Sequence, residues 1–259
     1  MALQQRGGNK AVIINYIPAA GGMYVVSGNA DKIKEARAVA GLAQTDTYTG
    51  DKPGTKSGDF IKQLEARGLE PVVVSGVLET VAHRVTKAND TPIHKAAVVL
   101  TDPESGEKYL VSLELANRAT QMMLDKLEHV AKGEHISINL FATYEKSTAD
   151  QQMYTNHGAS VQDAAGNEVK FSADKDAFRK ALQQKVSDQR ASLEGNGIKD
   201  KAVLAAASRA TMLEAYVSVV DALQAKHGDA PEIAPDGDGM TFDAEELVGA
   251  GDGMPAPAA

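Results

Sequence analysis

The stretch that decides the fold is PVVVSGVLETVAHRVTKANDTPIHKAAVVLTDPESGEKYLVSLEL, which runs from Pro71 to Leu115. Its first part, Val72 to Thr86, is β-branched and roughly alternating, which predicts one long curved strand in which Gly76 permits a bend or bulge. Lys95 to Asp102 predicts a second strand. A turn that contains Pro and Gly then returns the chain as a third strand, Lys108 to Leu115. Together these residues predict an antiparallel meander.

The hydrophobic period changes from two to about 3.6 directly after the meander. Asn117 is placed to cap a helix from Arg118 to Ala131. His135 to Lys146 predicts a fourth strand, and Tyr154 to Asp163 with Glu168 to Phe171 predicts a fifth strand ending in a hairpin. Three strands, a helix and two strands are the order of an OB-fold, a small barrel that binds oligonucleotides or oligosaccharides. The sequence therefore predicts an α+β protein with an OB-like five-stranded barrel.

The rest of the chain divides around this predicted barrel, residues 71–173. Residues 1–70 hold a β-hairpin and a helix, which we expect to pack on the barrel as an N-terminal extension. Residues 174–227 repeat apolar positions three or four apart, which predicts a helical hairpin free to pack on the barrel or on another subunit. Residues 228–259 are rich in Pro, Gly and acids, so we expect a tail that is disordered in isolation.

The excess negative charge of the chain is confined to this tail. The formal net charge is −8, from 35 acidic and 27 basic residues. The tail has no Lys or Arg and holds eight of the acids: Asp229, Glu232, Asp236, Asp238, Asp243, Glu245, Glu246 and Asp252. The remaining residues therefore balance, with 27 acids and 27 bases. This pattern is typical of a neutral domain with an acidic interaction tail.

Several classes of chemistry find no support in the residue types. The chain has no Cys, which excludes disulfides and thiolate catalysis. The segment from Gly50 to Gly58 resembles a phosphate-binding loop, but three residues instead of four separate Gly50 from Gly54, and Thr55 precedes Lys56. The six His lack the spacing of metal ligands on a helix. We therefore predict no catalytic residues, no metal, no cofactor and no enzyme activity.

No apolar run of about 18 residues and no secretory signal is evident in the sequence. The expected protein is cytoplasmic and has no membrane partner.

The predicted barrel combines basic and aromatic side chains in a way that favours nucleic-acid binding. Proteins that bind single strands join a cationic groove, which follows the phosphates, to aromatic faces on which bases stack. The predicted binding residues on the strands and their loops are Arg84, Lys87, Lys95, Lys108, Tyr109, Phe141, Tyr144, Lys146 and Tyr154. Lys52 and Lys56 add positive charge in the loop that precedes the barrel.

A simpler interpretation is an aromatic set that belongs only to the core. Residues 71–150 hold eight bases and eleven acids, so attraction to phosphates requires a local basic stripe. Tyr109 fits equally well as a cap on the barrel. Phe141 is out of phase with Ile138 and Leu140, and we expect it to be exposed only if those two residues face the core.

Barrel, helical extension and tail together resemble the single-stranded-DNA-binding proteins of tailed phages. INLFATYEK (Ile138 to Lys146), followed by YTNHGASVQDAAGNEVKF (Tyr154 to Phe171), is similar to the fourth and fifth barrel strands of that family, and residues 228–259 are similar to its acidic tail. Two features depart from the family. The last residues are PAPAA instead of acids capped by an aromatic, and the simplest members have no helical hairpin.

The resemblance implies sequence-independent binding of single-stranded DNA in phage replication or transcription, in the host cytoplasm. It also implies a tail that occupies the cationic groove when DNA is absent, or that recruits an RNA polymerase or a replisome protein.

A protein-interaction adaptor without DNA binding is the alternative from another class. The segment FDAEELV, Phe242 to Val248, would fold as a short amphipathic helix on a partner protein. Its expected contacts are Phe242, Glu245, Glu246 and Leu247, and the barrel would then serve as a scaffold.

Overall fold

Seven strands form one mixed sheet in the computed structural model, which describes residues 11–43, 46–88, 91–147, 151–171 and 173–228. The strands are β1 (Val12–Ile17), β2 (Gly22–Val25), β3 (Val74–Ala88), β4 (Thr91–Thr101), β5 (Lys108–Glu114), β6 (His135–Lys146) and β7 (Met153–Asp163). Their order across the sheet is β2-β1-β5-β4-β3-β6-β7. Strand β1 runs parallel to β5, and the other paired strands are antiparallel.

The predicted number of five strands is wrong, because the N-terminal hairpin joins the sheet. Strand β1 pairs with β5 from Val12 opposite Tyr109 to Ile14 opposite Val111. Its two faces both pack against apolar residues, Ile14 in one core and Ile17 in another. A strand that is apolar on both faces is stable only inside a layered sheet, so it becomes an internal strand.

The two ends of the sheet approach each other. The backbone N–H of Ala142 in β6 donates to the carbonyl of Gly21 at 3.0 Å, and the N–H of Val72 donates to the carbonyl of Met23 at 2.8 Å. These bonds bring the end of the sheet that carries β2 up to β6. The sheet is therefore curled into a half-barrel.

Strand β3 bends just beyond the predicted position. The pairing register with β4 shifts between Leu78 and Thr80, whereas Gly76 stays in regular register. Gly76 is needed for another reason, because a Cβ atom there would lie 2.9 Å from the carbonyl oxygen of Thr101. After the bend, β3 leaves β6 and continues with β4 as a pair that we call the β3–β4 ribbon, and β4 also pairs with β5 as far as Lys95.

The described residues form five α-helices: α1 (Ala30–Val39), α2 (Lys56–Glu65), α3 (Arg118–Leu127), α4 (Ala173–Gly195) and α5 (Lys201–His227). Helix α3 begins at the predicted cap, where the side chain of Asn117 accepts a hydrogen bond from the N–H of Ala119 at 2.8 Å. Its Met123, Leu124 and Leu127 are fully buried in the main core, on the face of the sheet that we call the inner face. Helices α1 and α2 pack on the opposite, outer face near the β1–β2 hairpin.

Helices α4 and α5 form the expected hairpin, and α5 attaches it to the sheet. Val220 and Leu223 of α5 are buried in the main core, and its Gln224 accepts a hydrogen bond from the backbone N–H of His83 at 2.9 Å. Among the described residues, α5 is the one helix long and apolar enough to cross a membrane, with a mean hydropathy of 1.3 over its most apolar window. This is weak evidence for a membrane span, because the core helix of a soluble protein passes the same test.

A buried carboxylate joins the three C-terminal helices. Asp125 of α3 is 0% exposed. The guanidinium of Arg179 in α4 donates to its Oδ2 from Nε and Nη2 at 2.9 and 2.7 Å, and the hydroxyl of Tyr216 in α5 donates to the same oxygen at 3.2 Å. The Nζ atom of Lys175 lies 3.4 Å from Oδ1. The charge of Asp125 is thus compensated by groups from the helical hairpin.

Candidate nucleic-acid interface

Most of the predicted binding residues lie on two antiparallel ribbons, β3–β4 and β6–β7. Strand β6 pairs with β7 along its length, from Ile136 opposite Asp163 to Lys146 opposite Met153. Successive side chains of a strand alternate between the inner and the outer face, so the pairing register assigns each residue to a face. The ends of the ribbons correspond to the loops that join the first to the second and the fourth to the fifth predicted barrel strands.

The outer face of the β3–β4 ribbon holds two of the predicted bases and an acid. Lys95 lies between Arg84 of β3 and Glu114 of β5 in the pairing register. Lys95 is only 7% exposed, and burial lowers its pKa while burial raises the pKa of Glu114. The structure therefore does not support the predicted phosphate contact by Lys95, because its ammonium group is enclosed beside a carboxyl group. Arg84 is half-buried, and it remains a candidate.

The inner face of the same ribbon is tied to α5 by two histidines. The ring of His83 stacks on that of His94, with 5.2 Å between the centroids. Nδ1 of His83 lies 2.9 Å from Oδ1 of Asp221, and its Nε2 lies 3.0 Å from Nδ1 of His94. The predicted Lys87 lies farther along the ribbon on this inner side and is exposed. The ribbon is thus anchored at its base and carries an exposed lysine near its end.

The two predicted residues that open β5 belong to the structure of the sheet. Tyr109 is half-buried and packs against the main core, and its hydroxyl donates to Oε2 of Glu107 at 3.0 Å. Burial raises its pKa, so the ring keeps its phenol proton. The packing of Tyr109 agrees with the alternative interpretation, in which this ring caps the barrel. Lys108 is half-buried opposite Thr101.

Phe141 is the most exposed of the predicted aromatic residues. Its ring is 38% exposed, whereas Ile138 and Leu140 are fully buried, so the expectation from the strand phase is confirmed. Phe141 lies opposite Gly158 of β7, and its ring covers that glycine. A Cβ atom on Gly158 would lie 2.7 Å from the ring, closer than any stable contact. The absence of a side chain at Gly158 therefore lets the ring lie flat across the outer face of the ribbon.

Polar neighbours of Phe141 were missed by the sequence analysis. Asn139, Thr143 and Asn156 are on the same outer face, because Asn139 and Thr143 alternate with Phe141 and Asn156 pairs with Thr143. Their amides and hydroxyl are able to donate to phosphates or bases. The signal that could have identified them is the alternation of residues 139, 141 and 143 around the exposed ring.

The free end of the β6–β7 ribbon lies against the loop that contains Lys52. The ring of Tyr144 packs against Gly50, and the hydroxyl of Thr155 donates to the carbonyl of Tyr48. The structure therefore brings Lys52 into the neighbourhood of Tyr144, Lys146 and Tyr154. Lys52 and Lys146 are exposed, whereas Tyr144 and Tyr154 are half-buried.

Hydrogen bonds of Thr55 fix the end of this loop, because Thr55 caps the N-terminus of helix α2. The hydroxyl of Thr55 accepts a hydrogen bond from the N–H of Gly58 at 3.0 Å and donates to the carbonyl of Gly50 at 2.8 Å. Nζ of Lys56 lies 2.8 Å from Oδ2 of Asp46. Lys56 is thus paired with an acid, and Lys52 is the more available of the two lysines.

The acidic tail leaves the described structure beside the β3–β4 ribbon. The hydroxyl of Thr80 donates to the carbonyl of Gly228, the residue that follows α5. Thr80 pairs with Val99, so it lies on the outer face of the ribbon together with Arg84. Residues 229–259, with the predicted partner contacts Phe242, Glu245, Glu246 and Leu247, are outside the described residues.

Three histidines of the described chain have pKa values below the usual range. Burial, with His83 nearby, lowers the pKa of His94, and burial, with Arg118 nearby, lowers that of His157. Burial and the charge of Lys226 lower the pKa of His227. The Nδ1 atom of neutral His157 accepts a hydrogen bond from the hydroxyl of Tyr16 at 2.7 Å. Folding therefore favours the uncharged form of all three rings.

We expect the free energy of unfolding to fall between pH 7 and pH 5.5. The unfolded chain takes up these protons near pH 6.5 while the folded chain resists them, so each ring contributes at most about 1.4 kcal/mol per pH unit. Urea titrations at the two pH values measure the loss, and His227→Gln should reduce the pH dependence. The raised pKa of Glu114 acts in the opposite direction, because the folded chain then binds that proton more tightly than the unfolded chain. A free energy that is unchanged at pH 5.5 would contradict the assignment.

The described part of the chain contains no group of three or more His, Asp or Glu side chains arranged to hold a metal ion. The candidate interface consists of two ribbons with exposed bases, one exposed ring and polar neighbours.

No protein-family model, curated protein or solved structure matches this chain.

Proposed function

We propose that this protein binds single-stranded DNA without sequence specificity, through the outer surface of the β6–β7 ribbon and the end of the β3–β4 ribbon. The observation that carries the proposal is the ring of Phe141, which is 38% exposed and lies over Gly158. A large aromatic ring is normally buried because it removes much apolar area from water. A ring that stays exposed in the middle of a strand is suited to stacking on an unpaired base.

The strand order supports an OB-like barrel as the platform. The strands that correspond to the five predicted ones follow each other in the sheet as β5-β4-β3-β6-β7. In terms of the predicted barrel this is third, second, first, fourth and fifth, the neighbour relations of an OB-fold opened beside its third strand. OB-folds bind oligonucleotides with the loops that join the first to the second and the fourth to the fifth strands. These are the loops at the ends of the two ribbons.

The charge arrangement supports a path for the phosphates from one ribbon to the other. Arg84 lies on the outer face of the β3–β4 ribbon. Lys87 and Lys146 lie near the ends of the two ribbons, on the inner side, and Lys52 is near the end of the β6–β7 ribbon, so the path passes over the ribbon ends. Since the barrel has no excess positive charge, these local groups must supply the attraction. The protein would act in phage replication or transcription in the host cytoplasm.

The acidic tail fits a regulator of the same surface. Gly228, the last described residue before it, lies beside Thr80, on the face that carries Arg84. A tail that begins there is able to reach the basic residues when DNA is absent. When DNA displaces it, the tail would recruit an RNA polymerase or replisome protein.

A second candidate function is a protein-interaction adaptor that does not bind DNA. It is favoured by the eleven acids against eight bases in residues 71–150 and by the apolar, acidic segment from Phe242 to Val248. If the chain does not bind DNA but captures a partner protein through that segment, the adaptor function replaces the first proposal.

Fluorescence anisotropy with labelled oligo-dT, oligo-U and duplex DNA tests the proposal. We expect oligo-dT to bind more tightly than the duplex, with an affinity that falls as salt rises because phosphate contacts release counterions. Removal of residues 229–259 should tighten binding. No binding of oligo-dT at 50 mM salt, with or without these residues, would refute the proposal, and tighter binding of oligo-U would make RNA the ligand.

A further inference from the structure

Helix α5 presents an apolar line on the side away from α4. Val203, Ala206, Ala210, Leu213 and Val217 are alternately three and four residues apart. Val203 is 45% exposed, Ala206 and Ala210 are exposed, and Leu213 and Val217 are half-buried. Leu204 and Thr211 lie on the other side of the helix and are buried, and the hydroxyl of Thr211 contacts Gln189 of α4. We call these five apolar residues the α5 seam.

The spacing of the α5 seam is that of a coiled-coil heptad. Alternating steps of three and four keep apolar residues on one line that faces a second helix. In this register Val203, Ala210 and Val217 occupy a positions, and Ala206 and Leu213 occupy d positions. None of the described helices covers the exposed part of the seam, since α4 packs on the opposite side.

Two charged residues flank the seam at the positions that select a partner. Arg209 is at a g position and Glu214 is at the e position of the next heptad. Nη1 of Arg209 is buried and has no hydrogen-bond acceptor within the described part of the chain. The side chain of Glu214 is 76% exposed, and its ion pair with Lys185, at 3.5 Å, is an exposed pair of little strength. Nη1 of Arg209 therefore lacks an acceptor among the described residues, and Glu214 is held only by an exposed pair that a second helix is able to replace.

We propose that two copies of this chain pair through the α5 seam as a parallel, two-fold symmetric coiled coil. In a parallel pair, a g position faces the e position of the following heptad on the other helix, so Arg209 of each copy meets Glu214 of the other. In an antiparallel pair, g faces g and e faces e, which would set arginine against arginine and glutamate against glutamate. The charges of Arg209 and Glu214 are thus complementary only when the α5 seam pairs with a second copy in parallel orientation.

The dimer has a consequence for the proposed DNA-binding surface. The C-terminal half of α5 is fixed on β3, so a parallel pair holds two half-barrels at the same end of the coiled coil. Two binding surfaces on one particle raise the effective concentration of the second for a long strand. The seam is short, so we expect a weak dimer with a dissociation constant in roughly the micromolar range.

Sedimentation velocity of the full chain without DNA, over a range of protein concentrations, tests the dimer separately from nucleic-acid binding. We expect a reversible monomer–dimer equilibrium in the wild type. The single changes Arg209→Glu and Glu214→Arg should each weaken it at least tenfold, and the double change should restore it to within about threefold, because the pairs are complementary again. Arg190→Glu is the matched control on α4 and should have no effect. A wild type that remains monomeric, or a double variant as weak as the single ones, would refute the dimer.

Cysteine crosslinking tests the orientation, since the chain has no Cys of its own. Ala206→Cys places thiols opposite each other only when two d positions meet, as in a parallel pair, so oxidation should give a covalent dimer. Ala191→Cys on exposed α4 is the control and should stay monomeric. No covalent dimer from Ala206→Cys would exclude the parallel seam. Binding of the monomer to neutral lipid vesicles through α5, without self-association, would also overturn the proposal.

Discussion

Replacing Asp125 with Ala should lower the free energy of unfolding by about 3–5 kcal/mol. Asp125 is 0% exposed and receives two hydrogen bonds from Arg179 and one from Tyr216. Its removal leaves the charge of Arg179 without its carboxylate partner at the joint of three helices, whereas Lys175 keeps Glu128, whose Oε1 lies 2.5 Å from its Nζ. Removing one partner of a buried ion pair is costly because the remaining charge has lost its water and its partner. Urea unfolding at pH 7, followed by circular dichroism, measures the loss.

The prediction is specific to the coupling between Asp125 and Arg179. Arg179→Ala should also destabilise the fold, but the double variant should lose less than the sum of the two single losses. Arg190→Ala removes an exposed pair with Glu194 and should change the stability by less than about 1 kcal/mol. Additive losses in the double variant would show that the two side chains act independently.

The order of the elements was accessible from the sequence because it depends on local periodicity. The change from a period of two to about 3.6 at Asn117 marks the start of α3, and the cap there has the expected hydrogen bond. The pairing of β1 with β5 was not accessible, because alternation identifies a strand but not its partner. Val12 and Tyr109 are far apart in sequence, and only the packed sheet brings them together.

In the candidate site too, local features were predictable from the sequence, whereas features that depend on distant neighbours were not. The exposure of Phe141 followed from the phase of one strand, on the condition that Ile138 and Leu140 face the core, and the structure meets that condition. The burial of Lys95 depends on Arg84 and Glu114, which lie on two other strands and become neighbours only through the register. Asp125 has the sequence environment of an ordinary helix, and the partner that explains its burial is Arg179 of another helix. Residue type indicated which side chains suit nucleic-acid binding. Neighbours on other strands and helices decided which of them are exposed.

Replacing Phe141 with Ala should weaken the binding of oligo-dT by roughly 1–3 kcal/mol, or about 5- to 150-fold, because one stacking surface is lost. Phe141→Tyr keeps a ring over Gly158 and should bind nearly as well as the wild type. Val39→Ala removes an apolar side chain of α1 that is more exposed than Phe141, 62% against 38%, and should leave the affinity unchanged. Since the ring also covers Gly158, thermal unfolding of each variant must show that the fold is intact at the assay temperature.

The salt dependence separates stacking by Phe141 from a loss of charge. Stacking releases no counterions, so Phe141→Ala should lower the affinity equally at every salt concentration and leave the slope of log K against log salt unchanged. Lys146→Ala removes a phosphate contact, so it should reduce that slope by about 0.7 for a single strand. An unchanged affinity in Phe141→Ala, with the slope still reduced in Lys146→Ala, would place DNA on the basic residues alone. The exposed ring of Phe141 would then have no part in binding.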